Sequence, residues 1–203
     1  MTPEQRPFEV QREVKSASKH AAEHEPLGDQ RGSEQAGGPD PRMGPFERAL
    51  DILRRECLTH YGERLISIVV FGSVGRQTAR PDSDIDVLLV ADPLPDGRMA
   101  RVREFDTIEK AFGERWLAMY PDAGVPDLSP VFKTPSEVAR GSLLFLDMVH
   151  DAWIVYDKDD FFARHLKALT ERLESLGARR VFYRGSWYWD IKPDLKPGEV
   201  FEL

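Results

Sequence analysis

Two short groups of residues in this chain have the types and spacing that chemistry requires. The first is Gly72-Ser73, directly after the apolar run 65–71. A residue without Cβ lets the backbone approach a ligand closely, and the hydroxyl beside it adds a donor. A helix starting there would aim free N–H groups at one spot, which suits a phosphate. The second group is Asp84 and Asp86, which flank Ile85 at the start of the apolar run 85–90. Strand side chains alternate, so both carboxylates project from one face while Ile85 points into the core. Neighbouring carboxylates repel each other, and a cation between them relieves the cost. Magnesium, or manganese, takes oxygen ligands from one or two carboxylates plus substrate phosphates. The spacing therefore reads as a metal–nucleotide site. The alternative is that Asp82, Ser83 and Asp84 form only a polar turn leading into a strand.

Ten residues separate Ser73 from Asp84, and Gly75, Arg80, Pro81 and Ser83 fall in the connection. The combination resembles the G-S-x10-D-x-D signature of the polymerase-β-like nucleotidyltransferase superfamily in its minimal form. The resemblance is carried by residues 65–90 and extends as a pattern of elements to about Tyr156. It implies that Gly72 and Ser73 contact nucleotide phosphates and that Asp84 and Asp86 hold one or two magnesium ions. The implied reaction is transfer of a nucleoside monophosphate, with ATP the expected donor, to a protein, RNA-end or small-molecule acceptor, releasing pyrophosphate. Family members usually add a third carboxylate from a later strand. Asp127, which opens the run 127–133, is the candidate here, and a simple strand-start residue is its alternative, because Pro126 precedes it and Pro130 interrupts the run. Asp122, Asp147 and Asp151 are weaker candidates on position. Minimal members often work beside a HEPN-type ribonuclease toxin. The resemblance thus also allows a different class of protein, a non-catalytic nucleotide-binding or antitoxin-like module that neutralises such a partner by binding.

The elements that must position these residues are read from hydrophobic periodicity. Phe46, Leu50, Leu53, Cys57 and Tyr61 recur as an amphipathic helix requires, with Gly62 as a stop. The β-branched runs at 65–71 and 85–90 read as central strands. A second helix is predicted over 98–118 and a third strand over 127–133. Thr134-Pro-Ser-Glu137 has capping-box spacing with proline at the first helical position, which predicts a helix to about Val149. A short strand at 153–156, a helix over 159–176 that stops at Gly177, and an aromatic-rich hairpin across Arg184-Gly185-Ser186 complete the pattern. This is an α/β (α+β) domain, expected as a mixed sheet of about five strands with helices mainly on one face. The expected organisation is a mobile tail over 1–45, a nucleotidyltransferase-like core over 46–157, and a C-terminal helix plus hairpin over 158–203. The tail holds 6 of the 15 prolines and a single leucine, too little apolar surface to offset chain entropy.

The chain has 203 residues with 35 acidic and 28 basic side chains, a net charge of −7 that argues against strong nucleic-acid binding through phosphate contacts. No apolar run reaches the roughly 20 residues of a bilayer span, and the N-terminus lacks a signal-peptide core. A cytoplasmic protein without membrane contact is expected. The single cysteine, Cys57, excludes an internal disulfide and reads as a core residue. Arg76 and Arg80 lie where they could reach triphosphate oxygens, Arg76 being the nucleotide-binding candidate, against the commoner reading of both as exposed loop arginines. Lys133 reaches the site only if its strand register permits. The aromatics Phe182, Tyr183, Trp187, Tyr188 and Trp189 could stack a base, but cross-strand packing against a helix is the preferred reading. His20 and His24 are the one H-x-x-x-H pair, in the tail, so a zinc site is not expected.

Overall fold

The computed structural model describes residues 24–25, 43–184, 186–196 and 198–201. The order is β1 (His24–Glu25), α1 (Met43–Tyr61), β2 (Leu65–Val70), α2 (Gly72–Gly75), β3 (Ile85–Ala91), α3 (Arg98–Met119) and β4 (Leu128–Lys133). It continues with α4 (Pro135–Ala139), α5 (Leu144–Asp151), β5 (Trp153–Asp157), α6 (Phe161–Ser175), β6 (Arg179–Tyr183) and β7 (Ser186–Asp190). Most of the tail expected over 1–45 lies outside the described residues.

The main sheet is mixed, with strand order β4-β3-β2-β5. β2 runs antiparallel to β3 and to β5, and β3 runs parallel to β4. The expected α/β class holds, with two corrections in detail. The main sheet has four strands, because the C-terminal hairpin β6–β7 joins β1 in a separate three-stranded sheet. Helices also cover both faces of the main sheet. Ile85, Val87, Leu89 and Ala91 of β3 pack with Leu50 and Leu53 of α1 and with Phe105 and Phe112 of α3. Leu88 and Val90 turn the other way, joining Val69 against Val138, Phe145, Met148 and Phe162 of α4, α5 and α6. The reason is visible in the strands: LISIVV and IDVLLVA are continuous apolar runs rather than alternating ones, the pattern of strands buried on both sides.

The helix expected from Thr134 to about Val149 is broken. Its start is as read: the Thr134 hydroxyl accepts from the Glu137 amide, and the Glu137 carboxylate accepts from the Thr134 amide. The break comes at Gly141, whose φ of +79° lies in the left-handed region that a helix cannot continue through. Pro130 is accommodated because β4 is the edge of the sheet, where a missing N–H donor need not leave a partner unsatisfied.

The corner from β5 into α6 is held by one carboxylate. Asp157 Oδ1 accepts from the buried Ser67 hydroxyl at 2.6 Å and from the Phe162 amide at 3.0 Å, while Oδ2 accepts from the Ala163 amide at 2.9 Å. Two amides in the first turn of α6 and one buried hydroxyl on β2 are thus satisfied together. Replacing Asp157 with alanine removes a helix cap and orphans Ser67, so urea unfolding of D157A is expected to show a loss of about 3 kcal/mol. The companion S67A, which removes the orphan as well, is expected to recover part of that loss in the D157A background.

Candidate active site

The site is built where β2 ends and β3 begins. The β2–β3 ladder runs one bond past the strand, from the Phe71 amide to the Asp86 carbonyl at 3.1 Å. The chain then turns sharply through α2, a single turn whose first i→i−4 bond is made by Gly75 to Phe71 at 3.2 Å. Buried Val74 anchors this turn in the core. Gly72 has φ of +66°, and a Cβ built on it would collide with the Asp86 carboxylate, whose Cγ would lie 2.9 Å away. Glycine is therefore required here twice over, by backbone conformation and by close approach to a charged group. The turn's leading amides and the Ser73 hydroxyl lie at the same end of the sheet as the carboxylates.

Asp84 and Asp86 flank the buried Ile85 and take the same side of β3 as Leu88 and Val90. Asp84 is exposed and Asp86 half-buried. Burial pushes the Asp86 carboxyl above its ordinary range, the Asp84 charge pushes it further, and the Arg76 guanidinium pulls it back only in part. The pair thus carries the electrostatic cost that a bound cation would remove, and its hard oxygen donors suit magnesium or manganese. Ahead of it, residues 80–83 close on themselves: the Arg80 amide donates to Ser83 Oγ at 2.9 Å and the Ser83 amide to the Arg80 carbonyl at 3.0 Å. The polar-turn alternative therefore describes Asp82 and Ser83, while Asp84 lies beyond the turn.

The other candidates are dispersed. The Asp127 carbonyl accepts from the Ile85 amide at 2.9 Å, which places this exposed residue at the entry of β4 beside Asp84. Its side borders a cavity of about 480 Å³ lined by Phe46, Ala79, Ser83 and Trp116. Among the described residues no three Asp, Glu, His or Cys side chains converge to hold a metal ion, so Asp127 does not complete a cluster with Asp84 and Asp86. The parallel register sets Ser129, not a carboxylate, beside Asp86. Lys133 pairs with Val90, four residues along the strand from Asp86, a span of about 13 Å. Phe182 and Trp187 pack across strands with ring centroids 4.8 Å apart, and Trp189 donates to Asp147 and stacks on His150. Cys57 is buried, and burial pushes its thiol up. One neighbour escaped the sequence reading, Ser129, found only from strand register, and Asp151, weighed there only as a weaker third carboxylate, has its Oδ2 3.8 Å from Arg76 Nη1.

Two expectations follow. G72A forces a side chain into an unfavourable backbone region and onto Asp86, so it is expected to lose about 3 kcal/mol in urea unfolding, with part of the loss relieved in G72A/D86A. For Asp86 the folded-state pKa is raised, so the folded protein keeps a proton that the unfolded chain has already released, and stability falls as pH rises through this window. In metal-free buffer D86N is expected to melt above wild type at neutral pH, with the gap closing as pH falls below about 4.

Comparison with known proteins bears on the whole arrangement. The Nucleotidyltransferase domain profile matches residues 50–132, from α1 to β4. The Methanocaldococcus jannaschii protein named "Putative protein adenylyltransferase" is 31% identical over 144 residues, covering 70% of this chain and 91% of that one. Among solved structures, a toxin–antitoxin with AMP-PNP gives a TM-score of 0.39 at 18% identity, covering 62% of this chain and 90% of that one. A tri-AMPylated Shewanella oneidensis HEPN toxin in complex with MNT antitoxin gives 0.37 at 16% identity, covering 64% and 89%. With the signature turn and carboxylate pair set at one sheet end, and with nearly the whole of a 31%-identical relative covered, the chain belongs to the polymerase-β-like nucleotidyltransferase family.

Proposed function

We propose that the protein transfers a nucleoside monophosphate, AMP from ATP, to an acceptor hydroxyl on a protein. The observation that carries this reading is the close approach of the Gly72 backbone to the Asp86 carboxylate, which sets the Gly-Ser turn against a carboxylate pair. A protein acceptor is favoured over an RNA end or a small molecule by the name of the 31%-identical relative and by the net charge of −7. A partner of the HEPN ribonuclease type is the acceptor to test first. Among the described residues no helix is long and apolar enough to cross a membrane.

In this reading the amides of 72–74, which the turn itself does not use, and the Ser73 hydroxyl orient the phosphates. Arg76, exposed at the end of the turn, adds a positive charge against their oxygens. Asp84 and Asp86 hold magnesium or manganese, which when bound supplies neutralisation of the triphosphate charge. The acceptor oxygen attacks the α-phosphorus, the bond from that phosphorus to the α,β-bridging oxygen breaks, and pyrophosphate leaves. Asp127, at the entry of the adjacent strand, takes the acceptor proton.

A second reading is favoured by one observation, the absence among the described residues of three converging carboxylates. It makes the protein a module that keeps the nucleotide pocket and neutralises its partner by binding alone. Incubation with magnesium, α-labelled ATP and a HEPN-type partner or cell lysate separates the two. Transfer of label to protein is expected, with D84A and D86A each lowering the rate by about a hundredfold or more while the fold survives. D127N is expected to lower the rate and leave nucleotide affinity within about twofold. Nucleotide binding without transfer, or full transfer by D86A, would establish the binding module or refute the site.

A further inference from the structure

We propose that Asp151 is a positioning residue that holds Arg76 beside the carboxylate pair and is itself held by Arg180 of the C-terminal hairpin. The inference rests on the nucleotidyltransferase reading and gives a role in that site to a part of the chain beyond the matched residues 50–132.

Asp151 is the last residue of α5 and touches the site in two ways. Its backbone carbonyl occupies the space that a Cβ on Gly75 would take, with the Val70 carbonyl 3.2 Å from the same point. The C-terminal end of α5 is therefore the floor on which the Gly-Ser turn rests. Its carboxylate faces two guanidinium groups. Arg180 Nη1 reaches Oδ1 at 3.4 Å and Nη2 reaches Oδ2 at 3.0 Å, while Arg76 Nη1 stands 3.8 Å from Oδ2.

The two partners differ in kind. Asp151 and Arg180 expose only 13% and 12% of their side chains, whereas Arg76 exposes 39%. A nearly buried carboxylate must stay paired, and the forked Arg180 contact does this without Arg76. Arg180 is fixed in turn: its guanidinium lies 4.9 Å from the Trp187 ring centroid, and β6 pairs with β7. Arg76 is therefore drawn toward Asp151 by charge without being hydrogen-bonded to it. Arg76 also closes the turn whose first residue, Gly72, abuts the Asp86 carboxylate, so its donors are available to a triphosphate held there while Arg180 keeps Asp151 neutralised. The hairpin thereby sets the position of a cation in the nucleotide site without touching the nucleotide.

The test uses the full chain, magnesium and a fluorescent ATP analogue, with Kd measured by titration and amide exchange of residues 72–76 by mass spectrometry. R76A and D151N are each expected to weaken binding about tenfold. R76A/D151N is expected to be no weaker than R76A alone, because Asp151 acts only through Arg76. D151N leaves Arg180 buried without its partner, so D151N/R180Q, which removes both charges, guards against unfolding and is expected to show the same tenfold loss and faster exchange at 72–76. A folded D151N/R180Q with wild-type Kd, or additive losses in R76A/D151N, would overturn the proposal. If wild type fails to bind the analogue, the nucleotide reading fails separately, and exchange at 72–76 decides: faster exchange in D151N/R180Q upholds the positioning of the turn, unchanged exchange sinks it.

Discussion

The closeness of the Gly72 backbone to the Asp86 carboxylate is the constraint on which the site depends. It exists because β2 and β3 pair antiparallel and their ladder continues through Phe71, so the end of one strand is tied to the start of the other. A turn that leaves a sheet so near a neighbouring carboxylate cannot carry a side chain at its first residue. What results is a place where backbone donors and anionic oxygens lie side by side, an arrangement with little use in a protein that binds nothing. Burial at this crowded corner, with the Asp84 charge beside it, raises the pKa of Asp86.

The helices hold this end of the sheet in place through packing and through a few partly buried ion pairs. Arg115 on α3 meets Glu56 on α1 at 2.5 Å, and Arg101 on α3 grips the Glu137 carboxylate of α4 at 2.7 and 3.1 Å. The Arg101 contact lowers the Glu137 carboxyl below its usual range, and the same carboxylate closes the capping box at Thr134. Such pairs add modest net stability, since desolvation offsets much of their attraction. Their geometric effect is clearer: each fixes how one helix sits against another, and so where β4 lies against β3.

Local patterns carried most of the fold. Short apolar runs located the strands of the main sheet, and period-3.6 spacing helices α1, α3 and α6, to within a few residues, because each of these buries one well-defined run or stripe. The break after α4 was written in Gly141, but a helix-shaped apolar pattern on either side of it masks a single left-handed residue. Burial of both sheet faces was also legible, in the unbroken apolar runs of β2 and β3, yet only if composition is weighed above alternation. At the candidate site, the placement of Gly72 and Asp86 was legible because it follows from their own backbone positions at the end of β2 and the start of β3. Ser129 was not, and neither was the contact that Asp151 makes: Ser129 lies beside Asp86 through the register of a parallel pair 43 residues apart in sequence, and Asp151 meets Arg76 only once α5 has docked beside the turn.

Pro130 acts on a different property of the molecule. β4 is the edge of the main sheet, and an edge strand is a template on which a second chain can add a strand. A proline in the middle of a six-residue edge removes a donor that such an addition would need. With both faces already covered by helices, this sheet could grow only at its two edges, β4 and β5, and Pro130 on the first of them works against strand addition and the self-association that would follow from it.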